Sequence, residues 1–309
     1  MPKIIFTTSS FDLSNFSEKE ELTDNGFEFL INPHGKRLTE DQVLELLTND
    51  VVAMVAGLEP LTENVLKNAK GLRVIVRCGI GTDNVDMLAA SKLGIHVYNT
   101  PDAPTRSVAE LTLAHILSLL RRIPECNNIM RKGKWNPLMG RLLANKTVGL
   151  IGYGRIGKMV AELLKAFDAE IIVYDIFEIT PAPGIKVVSM DSLLSMSDIV
   201  SLHLPYAPET RHLIAEKELA KMKPSSLLVN VARGGLIDED DLLDAIKSGH
   251  IAGVALDSFE TEPYSGPLLQ FDNVQVTAHM GSYAQEARSM MESEACRLMV
   301  KGLKDLGLL

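Results

Sequence analysis

Residues 148–157 read Val-Gly-Leu-Ile-Gly-Tyr-Gly-Arg-Ile-Gly, an apolar strand passing into G-x-G-x-x-G, and the helical pattern Lys158 to Phe167 follows. This junction restricts the fold more than any other feature, because each glycine meets a different geometric demand. Gly152 permits the tight turn, Gly154 lets backbone approach a pyrophosphate, and Gly157 allows close packing of helix on strand. The helix start, with Arg155 and Ile156 beside Gly154, then offers N–H groups to an anion. The second strand, Glu170 to Tyr174, ends at Asp175, 18 residues past Gly157, where an acid accepts hydrogen bonds from a ribose diol. Strand, turn, helix, strand and acid in register predict a dinucleotide site. The Asp175 carboxylate repels a 2′-phosphate, and Ile176, Phe177 and Glu178 supply no cation to bind one, so NAD(H) is expected over NADP(H).

The same alternation extends along the chain. Ile4 to Phe6 reads as a first strand. Val51 to Val55 precedes a helical Thr62 to Ala69, Arg73 to Arg77 precedes Asn84 to Leu93, and Ile95 to Tyr98 follows. A second series runs Thr147 to Ile151, Ile171 to Tyr174, Ile199 to Leu202, Leu227 to Val231 and Val254 to Leu256. Strands alternating with helices imply parallel βαβ units with right-handed crossovers. Two sheets are implied, in a chain whose 309 residues suffice for two cores at roughly 150 residues each.

Between the series, Ser107 to Leu120 is apolar nearly all round, which predicts burial between domains or against a second subunit. Residues 123–146 are rich in Arg, Lys, Gly and Pro, hold the only tryptophan, Trp135, and show no clear period. An irregular connection of that length suggests an arm wrapping a dimer partner.

The net charge of -9, from 31 Lys+Arg against 40 Asp+Glu, argues against a broad footprint for nucleic acid or an anionic membrane. Cys78, Cys126 and Cys296 are odd in number and far apart, so neither a disulfide framework nor a cysteine zinc site is expected, and no metal site is predicted. The start, Met1 to Phe6, lacks the apolar stretch of about 7 to 15 residues of a signal peptide. The most apolar stretch, Leu111 to Leu120, is about half of what a bilayer span needs. A cytoplasmic location is expected.

Asn230-Val231-Ala232-Arg233-Gly234-Gly235 puts Arg233 at a strand's carboxyl end, where open α/β sheets bind ligands. The next strand ends in Asp257, with Glu262 in the loop Phe259-Glu260-Thr261-Glu262-Pro263, and Val274 to Thr277 delivers His279. Three polar residues from three successive strand ends can converge on a nicotinamide ring.

Together with Arg77-Cys78-Gly79-Ile80-Gly81-Thr82-Asp83-Asn84-Val85-Asp86, Asn99-Thr100-Pro101, Ser107-Val108-Ala109-Glu110-Leu111-Thr112, His203-Leu204-Pro205 and Pro208-Glu209-Thr210-Arg211, these signatures make the chain resemble the D-isomer-specific 2-hydroxyacid dehydrogenase family over essentially its full length. The resemblance implies a fold of α/β class, two Rossmann-like or flavodoxin-like parallel-sheet domains with a cleft between them. Residues 1–101 and 283–309 would form the substrate-binding domain, and 102–282 the NAD-binding domain, with a dimerisation arm at 121–146. Arg233, Glu262 and His279 are implied as the catalytic trio. His203, Pro205, Thr210, Val231, Ala232, Asp257 and Gly281 are implied as further cofactor contacts. A homodimer or dimer-based oligomer is expected.

The chemistry of the trio is consistent with that role. Arg233 can bind the carboxylate of a 2-oxo acid while polarising its carbonyl. His279 can exchange a proton with the oxygen on C2, and Glu262 on the imidazole would favour the protonated ring and fix its orientation. The loops Gly57-Leu58 and Cys78-Gly79 can turn backbone N–H groups towards a substrate carboxylate. Gly57, Arg77, Cys78 and Gly79 thus join Arg233 and His279 as expected substrate contacts, with Cys78 as a lining residue and no nucleophile.

The Arg77-x-Gly-x-Gly-x-Asp-Asn-Val-Asp run is most similar to the phosphoglycerate dehydrogenase branch. An Arg near the end of the preceding strand would hold the substrate phosphate, yet Val55-Ala56-Gly57-Leu58 has no cation. Phosphoglycerate is the leading expectation, with hydroxypyruvate, glyoxylate or a sugar-derived hydroxyacid as rivals. No appended regulatory domain is expected. An NAD-responsive, corepressor-like binding protein is the alternative of another class, and the intact trio argues against it.

Overall fold

The computed structural model describes residues 1–180 and 182–309. It divides into two compact units, Met1–Pro104 with Ser282–Leu309, and Thr105–Gly281.

The first unit is built on a five-stranded sheet: β1 (Lys3–Phe6), β2 (Glu28–Ile31), β3 (Val51–Ala56), β4 (Val74–Arg77) and β5 (His96–Asn99), in spatial order β2-β1-β3-β4-β5. All pairings are parallel. Side chains on both faces are buried, Phe6, Val55 and Val76 on one and Ile5, Met54 and Ile75 on the other. That two-sided burial is why β3 and β4 read as continuous apolar runs rather than alternating ones. The last helix, Gln285–Asp305, packs on β3, β4 and β5. Met291, Ala295, Cys296, Met299 and Leu303 form its buried stripe, while Met290 faces solvent. The ends of the chain therefore share one core.

The second unit carries seven parallel strands: β6 (Thr147–Ile151), β7 (Glu170–Tyr174), β8 (Ile185–Val187), β9 (Ile199–Leu202), β10 (Ser226–Asn230), β11 (Ile251–Leu256) and β12 (Val274–Val276). Their order is β12-β11-β10-β9-β6-β7-β8. Chain direction across the sheet reverses between β6 and β9, and such a switch point opens a crevice at the carboxyl ends of the strands. β2 and β8 are edge strands of four and three residues, too short to stand out in the sequence.

The helix Pro104–Arg121 lays Val108, Ala109, Ile116 and Leu120 into the core of the second unit, and half of its remaining residues are half-buried. Its apolar character is thus explained in part by this unit's own sheet. The expectation of an irregular segment after it needs correction. Ile123–Arg131 is a helix, and Ile123, Cys126 and Met130 recur at helical spacing, yet the helix buries none of its residues. The irregular part is confined to the stretch beyond Arg131, where Trp135, Met139 and Leu142 are 86%, 88% and 71% exposed.

Candidate active site

At the switch point, Gly152 follows β6 with φ of +96°, and a Cβ there would come within 2.4 Å of the His203 carbonyl oxygen. Gly157 is equally confined, since its Cβ would meet the Gly152 oxygen at 2.2 Å. A Cβ on Gly154 would meet nothing within 4 Å. Two glycines are therefore required by the protein itself, and the third borders open space. No side chain caps the helix Arg155–Lys165 that begins there, so its start suits a phosphate anion. Asp175, at the end of β7, accepts hydrogen bonds from Tyr153 N–H at 2.7 Å and Phe177 N–H at 3.1 Å, which ties the acid to the glycine turn. Ile176 and Phe177 are exposed beside it. These residues fit a dinucleotide, with the pyrophosphate at Gly154 and a ribose at Asp175.

His203 sits on the other side of the switch point. Burial pushes its imidazole down to about 3, so the ring is neutral, with Nε2 at 3.0 Å from the Ser201 hydroxyl and Nδ1 buried without a partner. Thr210 spends its hydroxyl locally: it accepts from Ala207 N–H and donates to the carbonyl of Pro205. Its expected phosphate contact therefore competes with the turn that it closes.

The strand ends of β10, β11 and β12 are adjacent, and each supplies one of the polar residues singled out above. After β10, Val231 is buried, and Asn230 accepts from Ala232 N–H and donates to the Arg233 carbonyl, which shapes the Arg233 turn. A Cβ on Gly234 would lie 1.9 Å from the carbonyl carbon of Phe259, so this turn lies directly on the loop that follows β11. That loop carries Glu262, whose carboxylate oxygens lie 2.9 and 3.1 Å from His279 Nδ1. A carboxylate only accepts, so Nδ1 holds the proton and Nε2 is left for exchange. His279 adopts φ of +51°, a conformation unusual for a residue with a side chain and one that marks functional loops.

Asp257 holds that loop in place. It is 1% exposed, and it accepts hydrogen bonds from Met280 N–H and Gly281 N–H at 2.8 Å and from the Thr277 hydroxyl at 2.6 Å. Its carboxylate is thus engaged by the chain on both oxygens, where the resemblance implied a cofactor contact. Thr277 is bonded in turn to His115 Nε2 at 3.2 Å, and His115 Nδ1 to Gln275 at 2.7 Å. Burial lowers the pKa of His115. Thr277, His115 and Gln275 escaped the sequence reading, because nothing local links a helix at 115 to a loop at 279.

The carboxyl edge of the first sheet differs from expectation. Arg77 is 6% exposed, its guanidinium donates to the Cys78 carbonyl, and a Cβ on Gly79 would collide with it at 1.8 Å. Arg77 thus braces the loop from inside and is not a surface cation. Cys78 N–H donates to Ala56, Gly79 N–H to Thr100 and Gly57 N–H to Glu59, so these three donors already have partners. Among the described residues, the N–H groups of Ile80 and Gly81 have none. Burial pushes the Cys78 thiol up to about 11, which keeps it protonated at neutral pH. Among the described residues, no cluster of three or more His, Cys, Asp or Glu could hold a metal, and no helix is long and apolar enough to cross a membrane.

Comparison with known proteins gives a concordant result. Residues 113–281 match the family model of the D-isomer specific 2-hydroxyacid dehydrogenase, NAD binding domain. A D-3-phosphoglycerate dehydrogenase of Methanocaldococcus jannaschii is 42% identical over 258 residues, which is 81% of this chain but only 49% of that protein. The chain thus spans about half the length of that relative. A glyoxylate reductase of Thermofilum pendens is 42% identical over 277 residues, 86% of this chain and 79% of that one. Among solved structures, a D-lactate dehydrogenase from Aquifex aeolicus complexed with NAD and lactic acid superposes with a TM-score of 0.85 at 28% identity, covering 99% of this chain and 97% of that one.

Proposed function

The chain belongs to the D-isomer specific 2-hydroxyacid dehydrogenase family, and from that premise we propose that its second unit transfers a hydride between NAD(H) and C2 of a short D-2-hydroxyacid or its 2-oxo acid. The observation that carries this is the Glu262–His279 pair, set at the same sheet edge as the Arg233 turn and the glycine turn. When bound, NADH supplies the hydride. The protein's part is to bind, orient and move a proton. Arg233 holds the substrate carboxylate and draws charge towards the carbonyl oxygen. His279 delivers the Nε2 proton to that oxygen as negative charge develops on it, and takes it back in the oxidative direction. Glu262 keeps the proton on Nδ1 and stabilises the imidazolium.

The substrate reading favours an unphosphorylated acid such as glyoxylate or hydroxypyruvate. A phosphate asks for a cation at the end of β3, where Ala56, Gly57 and Leu58 supply none and the next residue is Glu59, 1% exposed, bonded to Gly57 N–H and to the Thr7 hydroxyl. A buried anion there opposes a second one. The exposed Trp135, Met139 and Leu142 support a second copy of the chain as partner, for which light scattering would give the mass of a dimer. The deciding experiment is NADH consumption with a panel of 2-oxo acids with and without phosphate. Turnover of the unphosphorylated acids is expected, and a preference for phosphohydroxypyruvate would overturn the substrate reading. No turnover at all, with NAD-dependent assembly, would favour a binding protein instead.

A further inference from the structure

His212 lies outside the trio, yet it touches every segment that carries the trio's first two members. Its backbone N–H donates to the Gly235 carbonyl at 2.8 Å, next to the Arg233 turn. Its Nε2 meets the Glu260 carboxylate, in the loop that carries Glu262. Its Nδ1 lies 3.1 Å from Asp238 Oδ2, while Asp238 Oδ1 accepts the N–H groups of Asp240 and Asp241 as the cap of the helix Glu239–Lys247. Glu239, in the first turn of that helix, accepts the backbone N–H of Glu260 at 2.8 Å.

The ring thus has a carboxylate close to each nitrogen, Glu260 in hydrogen-bond contact with Nε2 and Asp238 at 3.1 Å from Nδ1. The two carboxylates that it meets, Asp238 and Glu260, belong to different segments, so the ring links the helix start at Glu239 to the loop after β11. The position is a costly one for a side chain, because the His212 backbone is held at φ of +49°. Glycine or asparagine would adopt that conformation more readily. A residue that must bridge two carboxylates accounts for histidine there.

We propose that His212 is a positioning residue for the hydride-transfer reaction: bridging Asp238 and Glu260, it pins the loop 258–262 on the Arg233 turn and so fixes the aim of Glu262 at His279. The link runs through two residues only, from Glu260 to Glu262, and Phe259 N–H donates to Glu262 at 3.2 Å within the same loop. A shift of the loop by about 1 Å would weaken the support of the imidazole and lower the chemical step more than cofactor binding.

This inference rests on the proposed roles of Glu262 and His279. The test compares His212→Gly and Glu260→Gln with the wild-type protein, measured with NADH and the best acid of the panel. The glycine variant relieves the backbone, so its folding is not compromised by strain. Each variant should lower kcat about tenfold with KM for NADH unchanged, and the double variant should lose no more than either alone, since both break one link. Turnover within twofold of wild type in both variants, or losses that multiply in the double variant, would overturn the proposal. If the roles of Glu262 and His279 are themselves wrong, Glu262→Gln retains full turnover, an outcome distinct from failure of the bridge alone.

Discussion

Both units end in loops at the carboxyl edge of a parallel sheet, and the polar residues of the two edges do different things. At the five-stranded sheet, Arg77, Glu59, Thr7 and Thr100 are buried and bonded to the backbone or to one another. They shape a loop whose remaining donors are main-chain N–H groups. At the seven-stranded sheet, Glu262 and His279 are partly exposed and bonded to each other, and His279 Nε2 has no protein partner among the described residues. One edge uses its side chains to brace a loop and the other leaves them partly open. The same architecture therefore yields a loop braced by its own side chains in one unit and a partly open Glu–His pair in the other, according to whether the strand-end side chains turn in or out.

The strongest way to break this contrast is to remove the proton donor at the reacting edge. His279→Asn keeps a residue at ease with positive φ but cannot exchange a proton. It should cost about 10³ in kcat, within the span of general acid–base catalysis, while the melting temperature and the NADH dissociation constant stay near wild type. Near-normal turnover would remove His279 from the chemistry. The mirror experiment belongs to the edge of the five-stranded sheet. Arg77→Met leaves the Cys78 carbonyl without its buried donor and should cost about 2–3 kcal/mol of stability, read as a lower midpoint of denaturant unfolding. An unchanged midpoint would mean that Arg77 does not brace the loop.

How much of this was legible in the sequence follows from how local each feature is. The glycine turn, its helix and Asp175 lie within one βαβ stretch, and β6 and β9 keep the ends read from the sequence, Thr147–Ile151 and Ile199–Leu202. Arg233, Glu262 and His279 were recognisable as strand-end residues because parallel strands put all their carboxyl ends on one side. The inward course of Arg77 has no such local signal: an arginine closing an apolar strand can turn either way, and only the close approach to Gly79 shows that it folds inward. The bridge of His212 to Glu260 joins positions 48 residues apart, and the chain of Gln275, His115 and Thr277 reaches from one helix to a distant strand. Such pairs have no periodicity to betray them. The exposed helix Ile123–Arg131 was missed because its apolar stripe serves no core within its own unit.

The contrast also predicts different responses to acid. In the second unit, burial holds the His203 ring neutral in the folded state, from an ordinary value of 6.5 down to about 3. The unfolded chain takes up the proton near 6.5, so stability is complete above that pH and falls below it, by up to about 1.4 kcal/mol per pH unit. Between pH 6.5 and about pH 5 that amounts to roughly 2 kcal/mol. The first unit's His34 and His96 are exposed. Hydrogen exchange followed over that range should show protection lost first in the second unit, and His203→Gln should flatten the dependence. Equal loss in both units would contradict the assignment.

The smallest effect separates a glycine the fold needs from one the cofactor needs. Gly157→Ala would drive a methyl into the Gly152 carbonyl oxygen at 2.2 Å, and the backbone must shift to admit it. Gly154 has φ of -77° and open space where its Cβ would stand, so alanine costs the protein nothing there and reduces the freedom of the unfolded chain. If that space is where the pyrophosphate lies, Gly154→Ala should weaken NADH binding about tenfold, an amount typical of a lost close backbone approach, while raising the melting temperature slightly. Binding is read by NADH fluorescence and folding by thermal melting, so the two effects move in opposite directions in one variant. Unchanged NADH affinity would show that the phosphates rest elsewhere on the helix start, and that Gly154 is there for the turn alone.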